Sequence, residues 1–250
     1  MRFATRGHCA AADFRHRGRC GDLARPAVWL RLGGAGPVRN ERPAGPDPSR
    51  VSGIRESVDA HDRDLLGRPA VKLDGEGILD DSVQTASANC DERPSGERVS
   101  LVVLHAISLP SGEFGSDAIQ RLFTNTLDYT LHPYFESLRG LRVSAHFLIR
   151  RAGDIVQFVP CSKRAWHAGA SSFAGRENCN DFSVGIELEG TEDIAYTNPQ
   201  YEAIRALVSA LCARYPITDV VAHSDIAPGR KTDPGPSFDW ERLRSALPRR

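Results

Sequence analysis

Three short apolar runs constrain this chain more than any other feature. They are "VSLVVLHAIS" (99–108), "DFSVGIELEG" (181–190) and "ITDVVAH" (217–223). Each is too short for a buried helix, and Val and Ile favour a pleated surface, so each predicts a strand covered on both faces. Between the last two, "NPQYEAIRALVSALCARYP" (198–216) has helical spacing in Tyr201, Ile204, Leu207, Val208 and Leu211. Asn198 is the expected cap there, and Pro199 occupies the first helical position. "DAIQRLFTNTL" predicts a short helix opened by Asp117, and "FDWERLRSAL" a closing one. "VSAHFLIRRAGDIVQFVP" (143–160) is a hairpin pattern around the turn "AGD". Strands interleaved with helices, plus one tight hairpin, predict an α/β fold of the α+β type. Its centre is a mixed β-sheet flanked by helices.

Texture divides the chain near residue 72. Residues 1–72 hold 14 Lys+Arg against 8 Asp+Glu, are dense in Gly and Pro, and show one isolated apolar run, "AVWLRL". This composition predicts a disordered, low-complexity extension without a site. An Arg-rich transit peptide and a translated leader are the other readings of it. Residues 73–250 hold 18 basic against 24 acidic residues and carry all the periodic segments, so they form the expected folded domain. That mild acidic excess offers no footprint for nucleic acid.

No apolar stretch approaches the roughly 20 residues of a membrane-spanning helix. The first thirty residues are broken throughout by Arg and His, unlike a secretory leader. Six Cys are present without a C-x-x-C pair, which argues against a four-Cys zinc site. Reduced thiols in the cytoplasm are the expectation.

Polar residues sit where the apolar runs stop. His105 ends "SLVVLH", His223 ends "DVVAH", and Glu187 interrupts "VGIELEG". A Pro-stiffened "PGRKTDPG" loop adds Lys231 and Asp233 ten or fewer residues after His223. Two imidazoles and a carboxylate make a three-ligand zinc set whose fourth position can take water. His132, His146 and His167 compete for such a role. His132 precedes Pro133 at a helix start and reads as a cap, while His146 lies inside a strand and reads as a hydrogen-bonded core residue.

From about residue 75 to 243 the sequence resembles the zinc-dependent N-acetylmuramoyl-L-alanine amidases of the AmpD type. The segments that carry the resemblance are "LHAISLPSGEFG", "HPYFESLRGLRVSAHFLIRRAGDIVQFVP", "KRAWHAG", "GRENCNDFSVGIELEGTE" and "AHSDIAPGRKTDPGPSFDW". Members are cytoplasmic enzymes that cut 1,6-anhydro-muramyl peptides in peptidoglycan recycling. The resemblance implies that His105, His223 and Asp233 hold one zinc ion, with Glu187 as general base. Lys231 becomes the stabiliser of the transition state. It further implies a substrate-binding Arg142; Trp166 and His167 are expected either to face the substrate or to pack. A muramyl peptide is the expected partner, bound by a monomer that engages neither nucleic acid nor membrane.

Each role has a physical reason. A zinc-bound water has its pKa lowered from about 15.7 toward about 7. A carboxyl in a buried strand can have a raised pKa and carry a proton from water to the leaving amine. Lysine is scarce here, with Lys72, Lys163 and Lys231 against 29 Arg, and a compact ammonium suits a single oxyanion. Two positions depart from the family pattern: Ala106 follows His105 where Asn is usual, and Asn178 precedes Cys179 where Arg is usual. Both bear on sugar contacts rather than on the zinc set. A non-catalytic muramyl-peptide binder and an exported amidase acting on polymeric wall are the rival readings.

Overall fold

The computed structural model describes residues 71–80 and 82–245. The extension expected over residues 1–72 therefore lies outside the described residues, apart from Val71 and Lys72. Those two already belong to the folded unit. Val71 packs against the main core, and the Lys72 carbonyl accepts from Asp80 N–H at 2.9 Å.

In chain order the strands are β1 (Val83–Gln84), β2 (Cys90–Glu92), β3 (Leu101–Ile107), β4 (Phe147–Ile149), β5 (Ile155–Gln157) and β6 (Lys163–Ala165), followed by β7 (Ser172–Phe173), β8 (Arg176–Glu177), β9 (Ser183–Glu189) and β10 (Asp219–Ala222). The helices are α1 (Ala118–Phe123), α2 (Pro133–Glu136), α3 (Asn198–Arg214), α4 (His223–Ile226) and α5 (Trp240–Ser245). The main sheet has the order β1-β5-β4-β9-β3-β10. Only β4 and β5 run antiparallel; the other neighbours are parallel, so the sheet is mixed as expected.

Both faces of the sheet are covered. Val102, Leu104, Phe147, Ile149, Val184, Ile186 and Leu188 meet Ile204, Leu207, Val208 and Leu211 of α3 in one cluster. Burying each aliphatic side chain of that kind contributes about 1.5 to 3 kcal/mol, so this face anchors the fold. On the other face, Leu148 and Val156 pack on Ile119, Leu122 and Phe123 of α1, while Leu101 and Val103 pack on Phe182 and Ile226.

Two expected caps are corrected. Helix α3 is capped by Thr197, one residue before Asn198. Its hydroxyl accepts from Gln200 N–H, and the Gln200 side chain answers from the Thr197 N–H. The same hydroxyl donates to Arg151 O at 2.6 Å, which ties the helix start to the β4–β5 turn. Thr197 wins because it satisfies the hairpin as well as the helix. Asp117 does precede α1, but its side chain makes no capping bond; it accepts from Arg121 at 2.8 Å instead.

Candidate active site

Three adjacent parallel strands bring the candidate residues into one row. His105 on β3 is the direct partner of Glu187 on β9. On the other side of β3, Leu104 pairs with Ala222 of β10. His223 therefore follows that pair directly, as the first residue of α4 rather than the last of a strand. Its turn is held by Asp225, whose carboxylate accepts from Ala222 N–H at 2.8 Å. Ligand sites commonly form at the C-terminal ends of parallel strands.

Asp233 arrives from the following loop. Lys231 N–H donates to Ala227 O, Ser224 N–H donates to Asp233 O, and the Tyr196 phenol donates to Pro234 O at 3.0 Å. His105 Nδ1 and His223 Nδ1 lie 2.8 Å apart. The Asp233 carboxylate is 3.1 Å from the latter and 3.4 Å from the former. Among the described residues this is the group of metal-ligating side chains close enough to share an ion.

The donor set demands positive charge at the point where it converges. His223 Nε2 lies 3.2 Å from Ala168 O, and a carbonyl can only accept. That contact places an N–H on Nε2 and turns Nδ1 toward the carboxylate. Burial lowers the His105 pKa to about 4, which keeps that ring neutral. The Asp233 carboxylate, 3.1 and 3.4 Å from the two Nδ1 atoms, is the acidic member of the set. Two imidazoles and a carboxylate fit a divalent cation of the zinc kind.

Glu187 is 9 % exposed, and its Oε2 is a buried polar atom with no hydrogen-bond partner among the described residues. Burial raises its pKa to about 8; Asp233 adds to the rise and Lys231 opposes it. A buried carboxyl without a partner is costly, and a base poised near neutrality is what proton transfer needs. Lys231 is half-buried, and its charge acts on Glu187 and His105.

Of the two places open to His167, the ring takes the packed one. The structure places it behind His105: its Nδ1 is 3.0 Å from His105 Nε2 and its Nε2 3.2 Å from Ser183 Oγ. Only a glycine leaves space for this ring, because a Cβ on Gly185 would lie 2.4 Å from its Cγ. Trp166, its neighbour, is half-buried, and its indole helps Arg164 lower the Asp91 pKa. Arg142 is exposed. His132 caps α2, accepting from Tyr134 N–H at 3.1 Å. His146 is fully buried, accepting from Gly185 N–H and lying 3.1 Å from Lys163 O, as expected for a core residue.

The two departures also take their places. Ala106 packs half-buried against the α3-side cluster. Asn178 has φ 57° and ψ 60°, a left-handed conformation that Asn tolerates better than Arg.

Ser183, Gly185 and Tyr196 were not singled out in the sequence. The first two had a signal. In "SVGIELE" the residues Ser183, Gly185, Glu187 and Glu189 alternate with Val184, Ile186 and Leu188, which marks one polar face of a buried strand. Tyr196 had no such signal, since its role depends on a carbonyl 38 residues away.

Residues 95–236 match the family described as N-acetylmuramoyl-L-alanine amidase. The chain is 57 % identical over 174 residues to the 1,6-anhydro-N-acetylmuramyl-L-alanine amidase AmpD of Citrobacter freundii, covering 69 % of this chain and 93 % of that protein. It is 54 % identical over 171 residues to the AmpD of Escherichia coli K12, covering 68 % and 93 %. A crystal structure of an AmpD selenomethionine derivative superimposes with a TM-score of 0.69 at 57 % identity, covering 70 % of this chain and 99 % of that one. The sheet, the row of candidate ligands across it and the matching sequence agree: this chain belongs to the N-acetylmuramoyl-L-alanine amidase family.

Proposed function

We propose that the protein hydrolyses the lactyl–L-alanine amide of 1,6-anhydro-N-acetylmuramyl peptides as a zinc-dependent, monomeric enzyme of cytoplasmic peptidoglycan recycling. The observation that carries this reading is the convergence of two imidazoles and a carboxylate beside a buried carboxyl whose Oε2 has no partner among the described residues. His105, His223 and Asp233 would hold zinc, which supplies Lewis acidity toward water and the amide carbonyl.

The chain's own groups carry the protons and the charge. Glu187, when ionised, takes a proton from the attacking water on its carboxylate. It then delivers that proton to the amide nitrogen as the C–N bond breaks, releasing the peptide with a free amino terminus. Lys231 supplies a fixed ammonium for the oxygen that gains negative charge during attack. Trp166 and Arg142 are proposed to bind substrate, with the Arg142 fork suited to a peptide carboxylate.

The test compares kcat/KM for the anhydro-muramyl tripeptide, the reducing-sugar muramyl tripeptide and intact sacculi. The recycling role requires the anhydro form to be preferred. A clear preference for sacculi would favour an amidase of the cell wall.

A further inference from the structure

We infer that His167 and Ser183 are positioning residues that fix the tautomer of His105, so that its Nδ1 is bare toward the ligand point before any metal arrives. Hydrogen-bond polarity is set in one direction along a continuous buried chain. At its far end lies the Cys179 carbonyl, which can only accept. Ser183 Oγ is 2.5 Å from it and must therefore donate its proton there. With that proton committed, the same oxygen accepts from His167 Nε2, 3.2 Å away.

A neutral imidazole carries one N–H, so His167 Nδ1 is left as an acceptor. It faces His105 Nε2 at 3.0 Å and takes a hydrogen bond from it. The N–H of His105 is thereby held on Nε2, and its Nδ1 presents a lone pair to His223 and Asp233. Second partners that set a ligand's tautomer and ring orientation are a general feature of metal sites.

The chain is rigidly mounted. His167 N–H and Ala168 N–H both donate to the Asn180 side-chain oxygen, at 3.2 and 2.8 Å. The Arg93 guanidinium donates to the carbonyls of Asn180, Asp181 and Ser183, which pins the segment bearing the Cys179 and Ser183 ends. His105, His167 and Ser183 are all buried, so no solvent competes for these contacts.

This inference rests on the zinc reading for its purpose, but its first test does not need metal. In the metal-free full chain with 15N-labelled histidine, two-bond 1H–15N spectra should show His105 and His167 protonated on Nε2. Ser183→Ala removes the acceptor for His167 Nε2 and should release a population of His105 protonated on Nδ1. The second test is the zinc Kd by chelator competition. Ser183→Ala and His167→Leu should weaken zinc about 10- to 100-fold, the usual cost of losing an outer-shell partner. His167→Asn, which can return an oxygen acceptor near the Nδ1 position, should recover most of the affinity lost in His167→Leu. A wild-type His105 protonated on Nδ1 would overturn the inference, as would wild-type zinc affinity in both Ser183→Ala and His167→Leu. Wild-type protein that binds no zinc would instead defeat the proposed function and leave the tautomer result standing.

Discussion

His105 and Glu187 are direct partners across the parallel β3–β9 ladder, side by side on one face of the sheet. The first imidazole of the ligand row and the unpartnered carboxyl are thus spaced by backbone hydrogen bonds, not by flexible loops. Their contributions can be separated by substitution without moving the strands that bear them.

For the ligand row, His105→Ala, His223→Ala and Asp233→Ala should each remove most of the zinc and nearly all turnover. The purified wild type should carry about one zinc per chain, the complement of a three-residue donor set. Metal analysis checks this. Full zinc occupancy in both His105→Ala and His223→Ala would show that the ion sits elsewhere.

Glu187→Gln should keep zinc and lose about 10² to 10⁴ in kcat, the range for removing a general base. The same variant should reveal the burial of the carboxyl in the metal-free protein. The folded-state pKa, about 8, lies above the ordinary 4.5. The folded state thus holds the proton more tightly, and the wild type loses stability as pH rises through this window. The Tm of metal-free Glu187→Gln should gain on that of the wild type between pH 5 and pH 8. A gap that is flat with pH would mean the carboxyl is solvated.

Gly185→Ala tests the space beneath His105. The added Cβ would lie 2.4 Å from the His167 ring, which cannot retreat while its backbone is held by Asn180. Overpacking of this kind costs about 1 to 3 kcal/mol, and zinc affinity should fall with it. Urea unfolding together with chelator competition measures both. Unchanged values of both would show that the ring has another place to go.

A chain beginning at residue 71 should keep its zinc, its Tm and its kcat/KM. The ligand row and its buried supports lie within the described residues, and 174 residues of this chain suffice to cover 93 % of the Citrobacter freundii relative. Failure of the shortened chain to fold would give "AVWLRL" a part in the sheet.

The sequence by itself determined the local elements. Short Val- and Ile-rich runs specified β3, β9 and β10, although β9 carries polar residues on one face and β10 opens on an exposed Asp219. The helical spacing from Tyr201 to Leu211 specified α3, whose apolar stripe had to meet that sheet. Motif resemblance singled out His105, Glu187, Lys231, His223 and Asp233 without showing how they meet.

Tertiary structure decided everything that depends on which atom faces which. His105 and His223, 118 residues apart, share a point because β3 and β10 pair in one register and not another. His167 packs behind His105 because Gly185, on a neighbouring strand, leaves room for a ring there. Thr197 displaced Asn198 as a cap because a hairpin carbonyl lay within reach of its hydroxyl. Hydrophobic periodicity reports only whether a side chain is buried. The partner of a hydrogen bond is set by directional contacts between distant segments, and those exist only once the strands have paired.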